Sequence, residues 1–205
     1  GFAYRHGNRG YLAYLKDHAR FFILLTVVYG AVTGVGIWWT IGLASPVATE
    51  ALIHIFVFGW ALEYVFFVTE LTSAFLFYYR AEKLPPRTHV IFGWIYAISA
   101  WLSLVAITGI TAFMLHPGDW PRDRSFWSGF LNPQFLPQTV ARTGGAFLAA
   151  SLYVYLHASF RLRGNPEMLS MISRRSARPG LLGAILVTLG GIWWYFALPD
   201  SAQAA

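Results

Sequence analysis

Between Phe21 and Leu198 the chain carries five stretches of about twenty apolar residues, and no other feature restricts its fold so strongly. A helix of that length crosses the ~30 Å hydrocarbon core of a bilayer, where every backbone N–H and C=O must be satisfied within the segment itself. The stretches lie at about 21–41, 47–79, 89–115, 138–160 and 181–198, punctuated by Pro46, by Pro85 and Pro86, by Pro117, and by Pro133 and Pro137. The pattern predicts an all-α integral membrane helical bundle of about five transmembrane helices, a single transmembrane domain over residues 1–205. The second stretch is so long that it must tilt or extend beyond the bilayer at one end. Residues 161–180 read as a basic loop.

Composition supports a lipid setting: 57% of residues are hydrophobic and only 12% charged, with a mean hydropathy of +0.51. The chain has no cysteine, which excludes disulfides, thiolate-held iron–sulfur clusters, covalent c-type haem and cysteine nucleophiles. Any redox group must be held by His, Met or polar side chains. The first twenty residues, with Arg5, Arg9, Lys16 and Arg20, do not read as a cleavable signal peptide. Alternating the spans across the bilayer gathers twelve of the fifteen Lys and Arg on one side, in the N-terminal segment, residues 80–88 and residues 161–180. The other side holds Arg122 and Arg124, offset by Asp119 and Asp123, and Arg142 lies inside the fourth span. The positive-inside rule therefore predicts a cytoplasmic N-terminus in a multi-pass protein of the cytoplasmic membrane. It also disposes of nucleic acid as the partner for a net charge of +6, since no soluble domain presents the basic residues.

Charges inside a bilayer are costly unless paired, hydrated or bound, so Glu63 and Glu70 stand out. Seven residues apart, they share one face of the second span about 10 Å apart along its axis, a spacing suited to a proton path, a polar cavity or a quinone pocket. His54 and His116 fall near the outer ends of the second and third spans and form a candidate axial pair for haem b, with Arg142 at similar depth to meet a propionate. Nine residues from Glu63, His54 is expected on the opposite face of one continuous helix. His18, His89 and His157 sit near the cytoplasmic ends of three spans. His157 is the most embedded of these and a further candidate for cofactor binding. An interfacial hydrogen-bonding role is the plainer alternative for each histidine. Trp60, Trp94 and Trp101 lie deep in the spans, where an indole N–H needs a partner. Gly30, Gly34, Gly36, Gly144 and Gly145 read as sites of close helix approach. No phosphate loop, nucleophile elbow or metal-ligand spacing is present.

The stretch ELTSAFLFYYRAEKLPPRTHVIFGW from Glu70, then TAFMLHPGDW from Thr111 and FLNPQFLPQTVARTGGAF from Phe130, resembles subunit I of the cytochrome bd quinol oxidases over residues 20–165. The resemblance implies that the five spans correspond to helices two to six of that fold, and that Glu63 and Glu70 match the family's carboxylate pair with one residue less between them. His89 and the Asn132-Pro133 entry match as well. The family's first helix, with its high-spin haem ligand, and everything after the sixth helix fall outside the matched stretch. The family's haem-ligand histidine on the fifth helix falls near Ala141 or Arg142, where this chain has none.

The expectation is a membrane subunit of a quinone-linked electron-transfer complex, not active alone. It would bind haem b, quinone or both, use Glu63 and Glu70 for protons, and assemble with other membrane subunits and a haem protein. A cofactor-free anchor subunit and a proton or ion channel are the alternatives from other classes.

Overall fold

The computed structural model describes residues 1–199 and 203, and the described elements are helices. They run α1 Phe2–Arg5, α2 Arg9–Leu24, a π-helical turn Leu25–Tyr29, α3 Gly30–Ala44, α4 Pro46–Ile55, α5 Val57–Tyr79, α6 Pro86–Phe113, α7 Trp120–Asp123, α8 Phe126–Phe130, α9 Phe135–Arg161 and α10 Pro166–Phe196. Four helical stretches are long and apolar enough to cross a membrane: Arg9–Ala44, Val57–Tyr79, Pro86–Phe113 and Pro166–Phe196. The 27 residues of α9 are more polar, with Gln138, Arg142 and His157 among them, yet α9 lies antiparallel along α10 over most of its length and so runs through the same slab.

Several boundaries differ from the apolar pattern, each for a local reason. The first helix begins twelve residues before Phe21, because the Asn8 side chain accepts the Tyr11 backbone N–H at 2.8 Å and caps the polar turn. The expected basic loop at 161–180 is largely the first turns of α10, opened by Pro166 and capped by Asn165, whose Oδ1 accepts the Met168 N–H at 3.0 Å. Pro179 is carried inside that helix. The long second stretch is two helices. The chain leaves helical geometry at Phe56, and the fully buried Phe56 ring packs edge-on to Phe113 and Phe126 at centroid distances of 5.0 and 5.8 Å. His54 and Glu63 therefore do not share a helix, and the opposite-face argument for them does not hold.

Glycine sets the closest packing. A Cβ on Gly183 would sit 2.6 Å from the Leu148 nitrogen and 2.7 Å from the Gly144 carbonyl, and one on Gly190 would sit 2.8 Å from the Ala141 Cα. The backbones of α9 and α10 touch through these hydrogens, as small residues allow in lipid, where hydrophobic attraction between helices is absent. Gly30, Gly34, Gly36 and Gly145 behave otherwise: a Cβ on any of them meets nothing within 4 Å, so the expectation that they are close-approach sites is not met. The α3 segment that holds the first three packs on little besides the adjoining helices, leaving Val32, Val35 and Trp39 two-thirds exposed.

The basic end of the bundle is tied together by the N-terminal segment. Lys16 pairs with Glu82, and Arg161 Nε donates to Asp17 Oδ2 at 2.8 Å. The Tyr14 hydroxyl donates to the Val154 carbonyl at 3.3 Å, and the Arg175 guanidinium lies over the Phe2 ring. The Lys16 ammonium beside Glu82 holds that carboxyl below its ordinary pKa. Both ion pairs are solvent-facing and contribute little energy, so the buried Tyr14–Ala158–Ile172 cluster carries most of the attachment.

Substituting Gly183→Leu is expected to push α9 and α10 apart and destabilise the protein by at least the ~1–3 kcal/mol of ordinary overpacking. Gly191→Ala, which meets nothing within 4 Å, should leave the melting temperature in detergent unchanged, and thermal unfolding of the two variants checks the contrast.

Candidate functional site

The α5–α6 interface holds the intramembrane carboxylates. Both Glu63 and Glu70 are half-buried on the side of α5 that meets α6, two turns apart. The Ser103 hydroxyl on α6 donates to Glu63 Oε1 at 2.8 Å, so a neighbouring helix holds that carboxyl in place. Glu70 has no such hydroxyl among the described residues. It lies within electrostatic range of Glu63 and of Tyr96, which is two turns along α6 from Ser103 toward the basic end, beyond the buried Ser99. Ser103 and Tyr96 went unassigned in the sequence because a lone serine or tyrosine in an apolar run is compatible with simple packing. Their spacing of seven, matching that of the glutamates on the facing antiparallel helix, is the signal that pairs them.

Tyr96 also lines a cavity of about 500 Å³ bounded by α2, α5, α6 and α9. Ala74, Gly93, Ala97 and Ala150 leave the room, and His18, Phe22, Phe77, Trp101 and Thr143 shape the walls. The Trp101 indole N–H donates to Thr143 Oγ1 at 3.2 Å across the α6–α9 seam. Of the other deep tryptophans, Trp94 is 64% exposed on the lipid side, and Trp60 packs edge-on to Trp38 with its N–H unpartnered among the described residues. A second cavity of about 630 Å³ lies at the basic end under the N-terminal segment.

The histidines differ in what their ring nitrogens can still do. In His54 the Nδ1 lies 2.9 Å from the Glu50 carbonyl, which can only accept, so Nδ1 carries the proton and Nε2 keeps a free lone pair. That is the arrangement typical of a metal-ligating imidazole. His116 is the reverse. Its Nδ1 accepts the Gly118 backbone N–H at 3.1 Å in a turn where Gly118 takes φ +60°, which places the proton of the neutral ring on Nε2. Nothing brings His54 and His116 into contact among the described residues. His89 is fully engaged: Nε2–H donates to the Phe77 carbonyl at 2.9 Å and Nδ1 accepts from the Tyr4 hydroxyl at 3.0 Å. His157 meets His18 at a centroid distance of 5.1 Å, within a cluster that includes Tyr14 and Phe21. The Nδ1 atoms of this pair are buried without a partner among the described residues. The pairing joins α2 to α9, 139 positions apart in sequence, and nothing local to either histidine signals it.

Arg142 occupies the α6–α9 seam nearer the opposite end, donating to Thr108 Oγ1 at 3.4 Å and to Gln138 Oε1 at 3.2 Å. Asn132 sets the entry to α9. Its Nδ2 donates to the Gly129 carbonyl at 2.8 Å and its Oδ1 accepts the Gln134 N–H at 3.0 Å, while the fully buried Gln134 ties α9 to the Ala197 carbonyl after α10. In the preceding loop, hydrogen bonds from the Ser128 hydroxyl and the Ser125 N–H hold the Asp123 carboxyl below its ordinary pKa.

The bundle thus holds two carboxylates facing a neighbouring helix and, bounded in part by the same two helices, a wide apolar cavity. The sequence matches the cytochrome bd terminal oxidase subunit I family over residues 1–194, well beyond the stretch at 20–165 that carries the resemblance, and the chain belongs to that family. No curated protein and no solved structure matches it. Membership places the chain among membrane oxidoreductase subunits of the quinol oxidase type, which work in complexes with other subunits and generally bind haem.

Because His89 and Tyr4 share a hydrogen bond whose net worth is ~1 kcal/mol, Tyr4→Phe is expected to speed amide exchange in residues 1–8 by about fivefold. Hydrogen-exchange mass spectrometry checks this, and the melting temperature should hardly change.

Proposed function

We propose that the chain is the membrane subunit of a quinol-oxidising complex in which the α2–α5–α6–α9 cavity admits the quinone ring from the lipid and Glu63 and Glu70 handle the protons. The observation that carries the reading is the placement of Tyr96, which lines the cavity and lies within electrostatic range of Glu70. The cavity is of the size ordinary ligand sites have and is lined by aromatic and small apolar side chains with few polar groups, which suits an isoprenoid quinone. Oxidation of a quinol releases protons with its electrons, and a carboxylate in low dielectric near the ring is a natural acceptor. Ser103 keeps the Glu63 carboxyl facing α6, so a proton taken up at Glu70 has a second oriented carboxylate two turns toward the opposite end. His54 is the residue best suited to hold a haem b, which supplies a one-electron carrier when bound. His116 would have to release the Gly118 N–H to join it, and His157 would have to leave its ring contacts.

The test is a dithionite-reduced minus oxidised spectrum of the complex purified with its native partners, with pyridine haemochrome quantitation. A b-type α-band absent from His54→Ala and retained in His89→Phe is the expected result. Glu70→Gln should slow quinol oxidation by about 10²-fold with the haem content unchanged. A complex without haem would overturn the redox assignment and leave a cofactor-free anchor. Unchanged turnover in Glu70→Gln would remove the proton role.

A further inference from the structure

Arg142 is a cation inside the apolar slab with no counter-charge of its own among the described residues. It lies seven residues, about 10 Å, into α9 from Phe135, and its partner Thr108 lies five residues, about 8 Å, from the end of α6 at Phe113. The ion pairs among the described residues, Lys16–Glu82, Arg122–Asp119 and Arg161–Asp17, do not include it, and its two bonds are to the neutral Thr108 and Gln138. A guanidinium has five N–H donors, so most remain unused. An arginine left without a counter-charge in the hydrocarbon slab is costly, and a carboxylate offsets that cost.

The surroundings indicate where the carboxylate comes from. Arg142 sits at the rim of the α6–α9 seam, bonded inward to Thr108 and exposed on its other side, which is an open flank of α9 turned away from the face that meets α10. Along the same flank, at spacings of three and four, follow Gly145 and Ala149, and a Cβ on Gly145 would meet nothing within 4 Å. Leu152 and Leu156 continue it toward the basic end, each half exposed. A charge above a floor of small residues, in a slab without water, is the surface a second helix approaches closely while its own polar side chain finds a partner. A second copy of this chain is disfavoured by charge, because a symmetric contact would bring two guanidinium groups together.

We propose that the Arg142–Gly145–Ala149 flank is the docking face for a membrane-spanning helix of a partner subunit, which presents an Asp or Glu to Arg142 at the same depth. The contact fixes the register of the two subunits, since an axial shift of one turn leaves both charges unpaired in lipid.

The complex purified from native membranes tests this with a photocrosslinking side chain placed at Ala149 and the crosslinked peptide sequenced. The expected product is a transmembrane peptide of a different subunit with an Asp or Glu within one turn of the crosslink. Arg142→Gln should then cut the co-purified partner about tenfold while the melting temperature of this chain is kept. Neutralising that acid as well should lose no more partner than either single change, and exchanging the two charges between subunits should restore assembly. If the charge-exchanged pair fails to accumulate, the two single neutral variants and their combination decide the matter, because independent effects would multiply. A crosslink to lipid alone, to a second copy of this chain or to a segment without a carboxylate overturns the proposal. So does an Arg142→Gln complex that keeps its partner and loses haem, which would assign the counter-charge to a propionate.

Discussion

The backbone contact between α9 and α10 is the constraint from which the depth of everything else follows. Gly144, Gly183 and Gly190 bring two helices so close that neither can slide or rotate without meeting a peptide group. That contact holds a comparatively polar helix, with Gln138, Arg142 and His157, beside a more apolar one. The polar face of α9 is then left for α2 and α6, and the seam with α6 collects the Trp101–Thr143 and Arg142–Thr108 bonds. In lipid, where burial of apolar area does not separate right from wrong helix pairs, such steric fits and a few hydrogen bonds are what remains to specify the arrangement.

A gradient of polar organisation runs along the bundle. At the basic end the N-terminal segment is held by hydrogen bonds, ion pairs and an aromatic cluster that includes both His18 and His157. In the middle the polar groups come singly, each meeting one partner on the facing helix, as Ser103 meets Glu63. At the other end, Asn132 and Gln134 satisfy backbone groups at a helix entry, which is structural work. The open chemistry is therefore concentrated in the middle, where the glutamates, the cavity wall and Arg142 have spare capacity.

Class and site were legible to different degrees. Apolar runs of membrane length announced the helices, and the two glutamates announced themselves by cost. Helix ends were not legible where capping side chains extended helices into polar sequence, as at Asn8 and Asn165. Nor was the break at Phe56, which arises from an aromatic ring buried against two distant phenylalanines, not from Gly or Pro. Glycine spacing was ambiguous for the same reason. Gly34 and Gly144 look alike in sequence, and only the presence of a facing backbone separates them. The ring nitrogens of His54 and His116 were beyond sequence altogether, since their capacities depend on whether the nearest backbone group is a carbonyl or an amide.

The π-helical turn at Leu25–Tyr29 divides the longest helix of the chain into two independently phased halves. A wide turn takes one more residue than the α-helix around it, and one residue is about 100° of rotation. The stripe of α2 that meets Tyr153 and His157 consequently does not continue as a stripe on α3. The two halves of this helix therefore turn different sets of positions to their surroundings: the inner stripe is taken up by α9, while the outer half leaves Val32, Val35 and Trp39 open.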